Sequence, residues 1–381
     1  MLDASQAVRI ANKCRTASRR SPWRRAAIIF FAVCGPVRLE AQDAVTYPRG
    51  ASAPPPPPPQ SFASKGPFSF TGAETADVID DPVGGIRTSA KFLSKTAVSA
   101  AYDGAQEDQE GLTGLLSAQF VKGGHISGRN VGDIQGLDNI EAYGALRIYE
   151  AWLSRDYDNR RGWKAGLIDL NVDFDTQEAA ALFLNSSDGI GPDISRSGLN
   201  GPSIYPTTAL GVTAYYRPSP SLTLRAALFD GTSGSPYHPG AFAVRLSAQD
   251  GALAIIQVDK RFGSGWRAEC GGWTYSAKFD AINRVDAAGN TLRYQRARGV
   301  YGLVEGPILR ATDDRGLSGW LRVGYADPVV EHVTGYIGGG LVYTGPIKAR
   351  AQDQAGCASS DNLGQLAVFI SGASASSGVA V

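Results

Sequence analysis

The chain repeats one pattern, segments of about ten residues in which apolar and polar side chains alternate, separated by turn residues. In WKAGLIDLNVDF, 163–174, the alternation predicts a strand with Ile168, Leu170, Val172 and Phe174 on one face and Asp169, Asn171 and Asp173 on the other. LTLRAALF, 222–229, sets Leu222, Leu224, Ala226 and Leu228 against Thr223, Arg225 and Ala227. GLSGWLRVGYADP, 316–328, sets Leu317, Leu321, Val323 and Tyr325 against Ser318 and Arg322, and LGVTAYYRP, 210–218, follows the same rule. Comparable alternation lies near 112–122, 143–154, 241–249, 252–262, 265–276, 297–304 and 333–343. About a dozen strands are expected.

The rhythm breaks after residue 174. DTQEAAALF, 175–183, offers Asp175 as an N-cap and Glu178 three residues on, which predicts a short helix. LFLNSSDGIGPDISRSGLNGPSIYP, 182–206, then has too much Gly and Pro for a helix or strand interior and too many apolar residues for a solvated linker. An excursion of that length between two strands is a loop with a task.

Charge becomes informative once the ends are separated. Residues 1–25 carry Arg9, Lys13, Arg15, Arg19, Arg20, Arg24 and Arg25, then AAIIFFAVCGPV and LEA follow, the plan of a signal peptide over 1–41. Its apolar run is too short to span a bilayer. Without the 8 basic and 2 acidic residues of that segment, 29 Lys and Arg face 34 Asp and Glu, a net charge of −5. An exported, mildly acidic chain is a poor nucleic-acid binder. Pro54–Pro59 mark a Pro-rich, disordered leader over 42–84. Cys270 and Cys357, the two cysteines beyond residue 41, make no disulfide framework.

Strands of bilayer-crossing length, no apolar helix long enough to span, and export together favour an all-β, transmembrane antiparallel barrel over a soluble sandwich. The aromatics Trp163, Phe174, Tyr216, Phe229, Trp266, Tyr325 and Tyr343 sit near expected strand ends, where interfacial girdles form.

Several blocks in order, IEAYGALRIYEAWLSRDY (140–157), GLIDLNVDFD (166–175), the 182–206 segment, ALFDG (227–231), DRGLSGWLRVGYADP (314–328) and GGGLVYTGPI (338–347), resemble the carbohydrate-selective porin family of OprB type. The resemblance covers roughly residues 85–354. It implies a sixteen-stranded outer-membrane barrel passing glucose and other small sugars into the periplasm, with small carbohydrates, membrane lipid and the barrel-assembly machinery as partners and no cofactor; whether barrels associate as homo-oligomers is left open. Two departures stand out. From 355 to 381 the tail is Ser/Ala-rich and ends in Val381, so the family's final strands look missing, and Arg196 stands where the family more often has an uncharged polar residue. A truncated, non-conducting barrel and a periplasmic carbohydrate-binding β-protein are the alternatives.

A sugar pore needs hydroxyl-matching groups at a constriction. Asp169, Asn171, Asp173, Arg225 and Arg322 fall on the expected lumen side by parity, and Arg147, Glu150 and Trp152 belong to the YEAW block with both faces mixed. Each could also simply solvate a wide lumen, and Glu150 could pair with an arginine. Asn185, Asp193, Arg196 and Asn200 lie in the irregular segment, which in a porin can fold into the lumen and help form the constriction; the Asx residues there are also natural turn formers. Asp169 and Asp173, four residues apart on one strand, would lie about 13 Å apart, too far for a glycosidase pair. No nucleophile elbow, zinc-binding or Walker motif is present, so no enzyme is expected.

Overall fold

In a computed structural model, described over residues 61–362 apart from 239–243, 245, 288, 313–314 and 348–352, nearly all the alternating segments are strands. They run β1 (Ser61–Lys65), β2 (Phe68–Asp81), β3 (Ser89–Asp103), β4 (Leu112–Lys122), β5 (Ala145–Tyr157), β6 (Arg161–Ile168), β7 (Ala209–Ser219), β8 (Leu222–Asp230), β9 (Ala252–Arg261) and β10 (Arg267–Tyr275). A separate hairpin, β11 (Phe279–Val285) and β12 (Thr291–Gln295), interrupts the order. Then come β13 (Arg298–Thr312), β14 (Arg315–Ala326), β15 (Gly335–Thr344) and β16 (Gln354–Asn362). Apart from that hairpin, the strands form one 14-stranded sheet in which each pairs antiparallel with its neighbour in sequence. β1 and β16 are its two edges, and no pairing joins them among the described residues.

The two ends of the sheet differ. At one end lie the connections 66–67, 104–111, 158–160, 220–221, 262–266, 313–314 and 345–353, none longer than nine residues; at the other lie 82–88, 327–334 and the four long loops 123–144, 169–208, 231–251 and 276–297. Short turns on one side and long loops on the other are the plan of an outer-membrane barrel. Exposed Phe68, Tyr157, Trp163, Tyr216 and Phe262 gather at the short-turn end, where an aromatic girdle belongs.

The faces are inverted relative to a soluble sandwich. Leu224 and Leu228 of β8, Ile256 and Val258 of β9, and Leu321, Val323 and Tyr325 of β14 are exposed. On the opposite parity, Phe229, Gln257, Asp259, Trp320 and Arg322 are buried. An exposed apolar face and a covered mixed face suit lipid outside and protein inside. What covers the inner face is the segment 169–208. It touches Tyr149 of β5, Lys164 of β6, Gln257 of β9, Arg267 of β10, Glu305 of β13, Arg322 of β14, Tyr336 of β15 and Ser360 of β16. A sheet that presents one face of so many strands to one segment is curved around it.

Several expectations are corrected. The strand expected over 163–174 ends at Ile168; a 3-10 turn follows at Leu170–Val172, capped by Asp169. Val172 is therefore exposed while Ile168, Leu170 and Phe174 are buried. No helix forms over 175–183, because Asp175 is drawn inward at φ 51° to meet Arg322 and cannot cap. Phe174 and Phe229 are not girdle residues but part of the inner apolar cluster with Ile190, Ile194, Ile255 and Tyr275. The expected leader reaches too far, since β1 and β2 lie within 42–84. The tail beyond 354 begins with β16, whose Ser360 hydroxyl donates to Gln135 Oε1 at 2.7 Å. No strand occupies the described part of 241–249. The signal peptide, the proline run and residues 363–381 lie outside the described residues.

Candidate functional site

The segment 169–208 holds its shape through side chains from the wall. Arg322 is the centre of one anchor. Its Nε and Nη2 donate to Asp175 at 3.1 and 2.8 Å, Nη2 also donates to Asp193 Oδ2 at 3.1 Å, and Nη1 meets Asp193 Oδ1. All three side chains are fully buried. The guanidinium lies 5.5 and 5.1 Å from the ring centres of Tyr301 and Tyr336, whose hydroxyls donate to Gln257 Oε1 at 2.5 Å and the Ser187 carbonyl at 3.0 Å. Gln257 Oε1 in turn accepts from the Asp175 N–H at 2.9 Å. A charge that far from water is tolerable only when paired on every side.

Arg267 is the second anchor. It pairs with Asp259 at 2.6 Å, Glu305 at 2.8 Å and Glu269, and donates to the Thr176 carbonyl at 2.7 Å. Glu305 also accepts from the backbone N–H groups of Glu178 and Ala179 at 3.3 and 2.8 Å. Wall carboxylate and wall guanidinium thus satisfy backbone that forms no helix.

A seam joins the segment to the loop 123–144. Ser186 N–H donates to the Gly136 carbonyl, Arg196 Nε to the Ile134 carbonyl at 2.9 Å, and the Tyr205 hydroxyl to the Ile140 carbonyl at 2.7 Å. In this region burial pushes the carboxyl of Asp188 up to about 7 and that of Asp138 up to about 6.

The polar groups expected to line a path are divided by the structure. Glu150, Trp152, Asp169, Asn171 and Asp173 come together with Lys164, all partly buried. Trp152 Nε1 donates to Glu150 Oε1 at 3.0 Å, Lys164 pairs with Asp173 at 2.8 Å, and its ammonium lies 5.1 Å from the Trp152 ring centre. Because 169–173 is a turn, the strand spacing used to separate Asp169 from Asp173 does not apply. Glu150 meets a tryptophan and the Asp169 N–H rather than an arginine. Arg225 is partly buried on the inner face of β8. Arg322 and Asp193 are sealed in the anchor, and Arg147 is buried with Nη2 on the Tyr143 carbonyl at 2.9 Å. Asn185 is the turn former expected, its Oδ1 accepting from Ser187 N–H. Asn200 instead reaches across to the Ser233 carbonyl at 2.6 Å, and Arg196 is exposed. Sequence reading missed Asp175 as an ion-pair partner and the whole Arg267 cluster, although Asp259, Arg267, Glu269 and Glu305 all fall on the buried parity of strands it found.

A family model described as "Carbohydrate-selective porin, OprB family" matches residues 111–362. The chain belongs to this family. Among solved structures, this porin is similar to the high-pH structure of Pseudomonas putida OprB, with a TM-score of 0.67 and 18% identity over 77% of this chain and 74% of that one. The low-pH structure of the same protein matches with a TM-score of 0.43 and 14% identity over 77% and 75% of the two chains. OmpT of Vibrio cholerae matches with a TM-score of 0.36 and 12% identity over 74% and 72%. No curated protein sequence matches the chain. The porin is a protein of the bacterial outer membrane, a transport channel by family, with carbohydrate as its class of solute.

Proposed function

We propose that this porin carries glucose and other small sugars into the periplasm by passive diffusion, along the side of the lumen between β2 and β6. The observation that carries this reading is the uneven filling of the interior. Towards β8–β14 the inner face is packed with the cluster of Phe174, Ile194, Phe229, Ile255 and Tyr275. Towards β2–β6, beside a smaller apolar cluster of Ile79, Leu93, Ile126, Leu137 and Ile140, it offers polar, partly exposed groups, including Lys95, Ser99, Glu150, Lys164, Asp169 and Asp173. Two aromatic rings there, Trp152 and Tyr205, lie 5.1 and 5.3 Å from the ammonium groups of Lys164 and Lys95. Ring faces beside paired donors and acceptors suit a sugar, which offers C–H on one face and hydroxyls around its rim. Mixed charges in so small a space favour neutral polyols over anions. No step of this passage calls for catalysis, a cofactor or an energy source; insertion by the barrel-assembly machinery belongs to the same reading.

The test is the ionic current of the full chain in a planar bilayer as glucose is added. Current should fall in a saturable, concentration-dependent way as sugar occupies the path, and Trp152→Ala should raise the half-blocking concentration several-fold. A current unaffected by glucose beyond the change in bulk conductivity would overturn the reading.

A further inference from the structure

We propose that Arg322 is a positioning residue for conduction: touching no solute, it fixes the segment 169–208 against the far wall, so that the constriction is permanent rather than a gate. The inference rests on the proposed sugar path, which the segment 169–208 narrows to a constriction. Its evidence is separate, namely how completely the anchor is built.

Arg322 comes from the wall and both carboxylates come from the segment, Asp175 at its start and Asp193 in the one-turn helix Pro192–Ser195. One planar guanidinium therefore ties together two points 18 residues apart in a stretch with almost no regular structure. Only arginine offers several donors in a fixed fork; a lysine ammonium is a point charge and would not span both carboxylates in this geometry. The backbone is shaped to admit the group. A Cβ on Gly191 would overlap Arg322 Nη1, and one on Gly324, beside Arg322 on β14, would overlap the Asp193 carboxylate. Gly191 N–H also donates to Asp175 Oδ2 at 3.2 Å, closing the anchor from the segment side. Asp175 occupies the left-handed region at φ 51°, a conformation costly for a non-glycine residue unless surrounding contacts enforce it. Buried charge, sterically required glycines and enforced backbone all converge on one junction, as expected of a segment held in a single position.

The experiment is single-channel recording in salt of the wild-type chain, Arg322→Met and Gly191→Ala, each first shown by heat-modifiable gel mobility to contain a folded barrel. Arg322→Lys is included as the conservative variant. Wild type should give one steady conductance level. Arg322→Met and Gly191→Ala should each give fluctuating current with a higher mean, and Arg322→Lys should fail to restore the steady level. A role confined to barrel stability would change yield and melting but leave the conductance and noise of the folded fraction at wild-type values, and that result would overturn the proposal. Where Arg322→Met yields no folded barrel, Gly191→Ala decides alone, because it alters the segment and leaves the wall intact. The readout uses salt only. Loss of glucose block with these current changes intact would therefore refute the sugar path and leave the anchor standing.

Discussion

Asp188 shows how one residue's surroundings translate into a pH dependence. It is buried, its Oδ1 has no hydrogen-bond partner among the described residues, and burial raises its carboxyl to about 7 from 3.8. The folded chain holds this proton more tightly than the unfolded chain. The cost of ionising it is absent below about pH 4, grows between the two values and is complete above about pH 7. Stability from this site therefore falls as pH rises, and thermal unfolding across pH 4–8 should show Asp188→Asn losing less of its melting temperature than wild type. Equal slopes would mean that Asp188 ionises without cost. Asp175 is a paired carboxylate of the same interior. Asp175→Ala leaves the Arg322 charge in the interior with one carboxylate gone, which should destabilise the fold by about 3–5 kcal/mol, read as a lowered denaturation midpoint.

At the scale of elements, β4–β10 and β13–β15 were legible because lipid outside and protein inside impose a period of two, whereas β1–β3 and the β11–β12 hairpin were not read as strands. The segment was legible only as an exception to that period. Its detail was hidden because contacts distant in sequence override local preference: Asp175 is an acceptable helix cap until Arg322 claims it, and 169–173 alternates well until the turn at Leu170–Val172 begins. Arg147, Arg322 and Asp193 read as lumen-lining by type or parity, but parity cannot separate a residue facing water from one facing a plug. β16 was missed because its Ser and Ala composition lacks bulky outward residues; its evidence lies in the pairing with β15 and in Ser360. The glycine runs CGGW (270–273) and IGGGL (337–341) are clearances, since a Cβ on Gly271 or Gly338 would overlap Tyr301 or Tyr336. Gly271→Leu should therefore displace Tyr301 from Gln257 and loosen the segment. Limited trypsin digestion at exposed Arg196 should then run faster than in wild type; an unchanged rate would show that Tyr301 is dispensable to the segment's hold.

Across the whole molecule, the outer face is apolar, the inner face is occupied, and the long loops share one end. Those three properties, with the family match over 111–362, make a carbohydrate porin whose interior is narrowed by its own chain. The sheet edges β1 and β16 are where the barrel must be sealed, since unpaired backbone is costly in lipid. The central claim is that neutral sugars diffuse past the anchored segment. Swelling of liposomes containing the full chain tests it most directly, with glucose compared against gluconate, an anion of similar size. Glucose should swell them clearly faster than gluconate and faster than protein-free liposomes. Swelling no faster than in protein-free liposomes, or equal for the two solutes, would contradict the account.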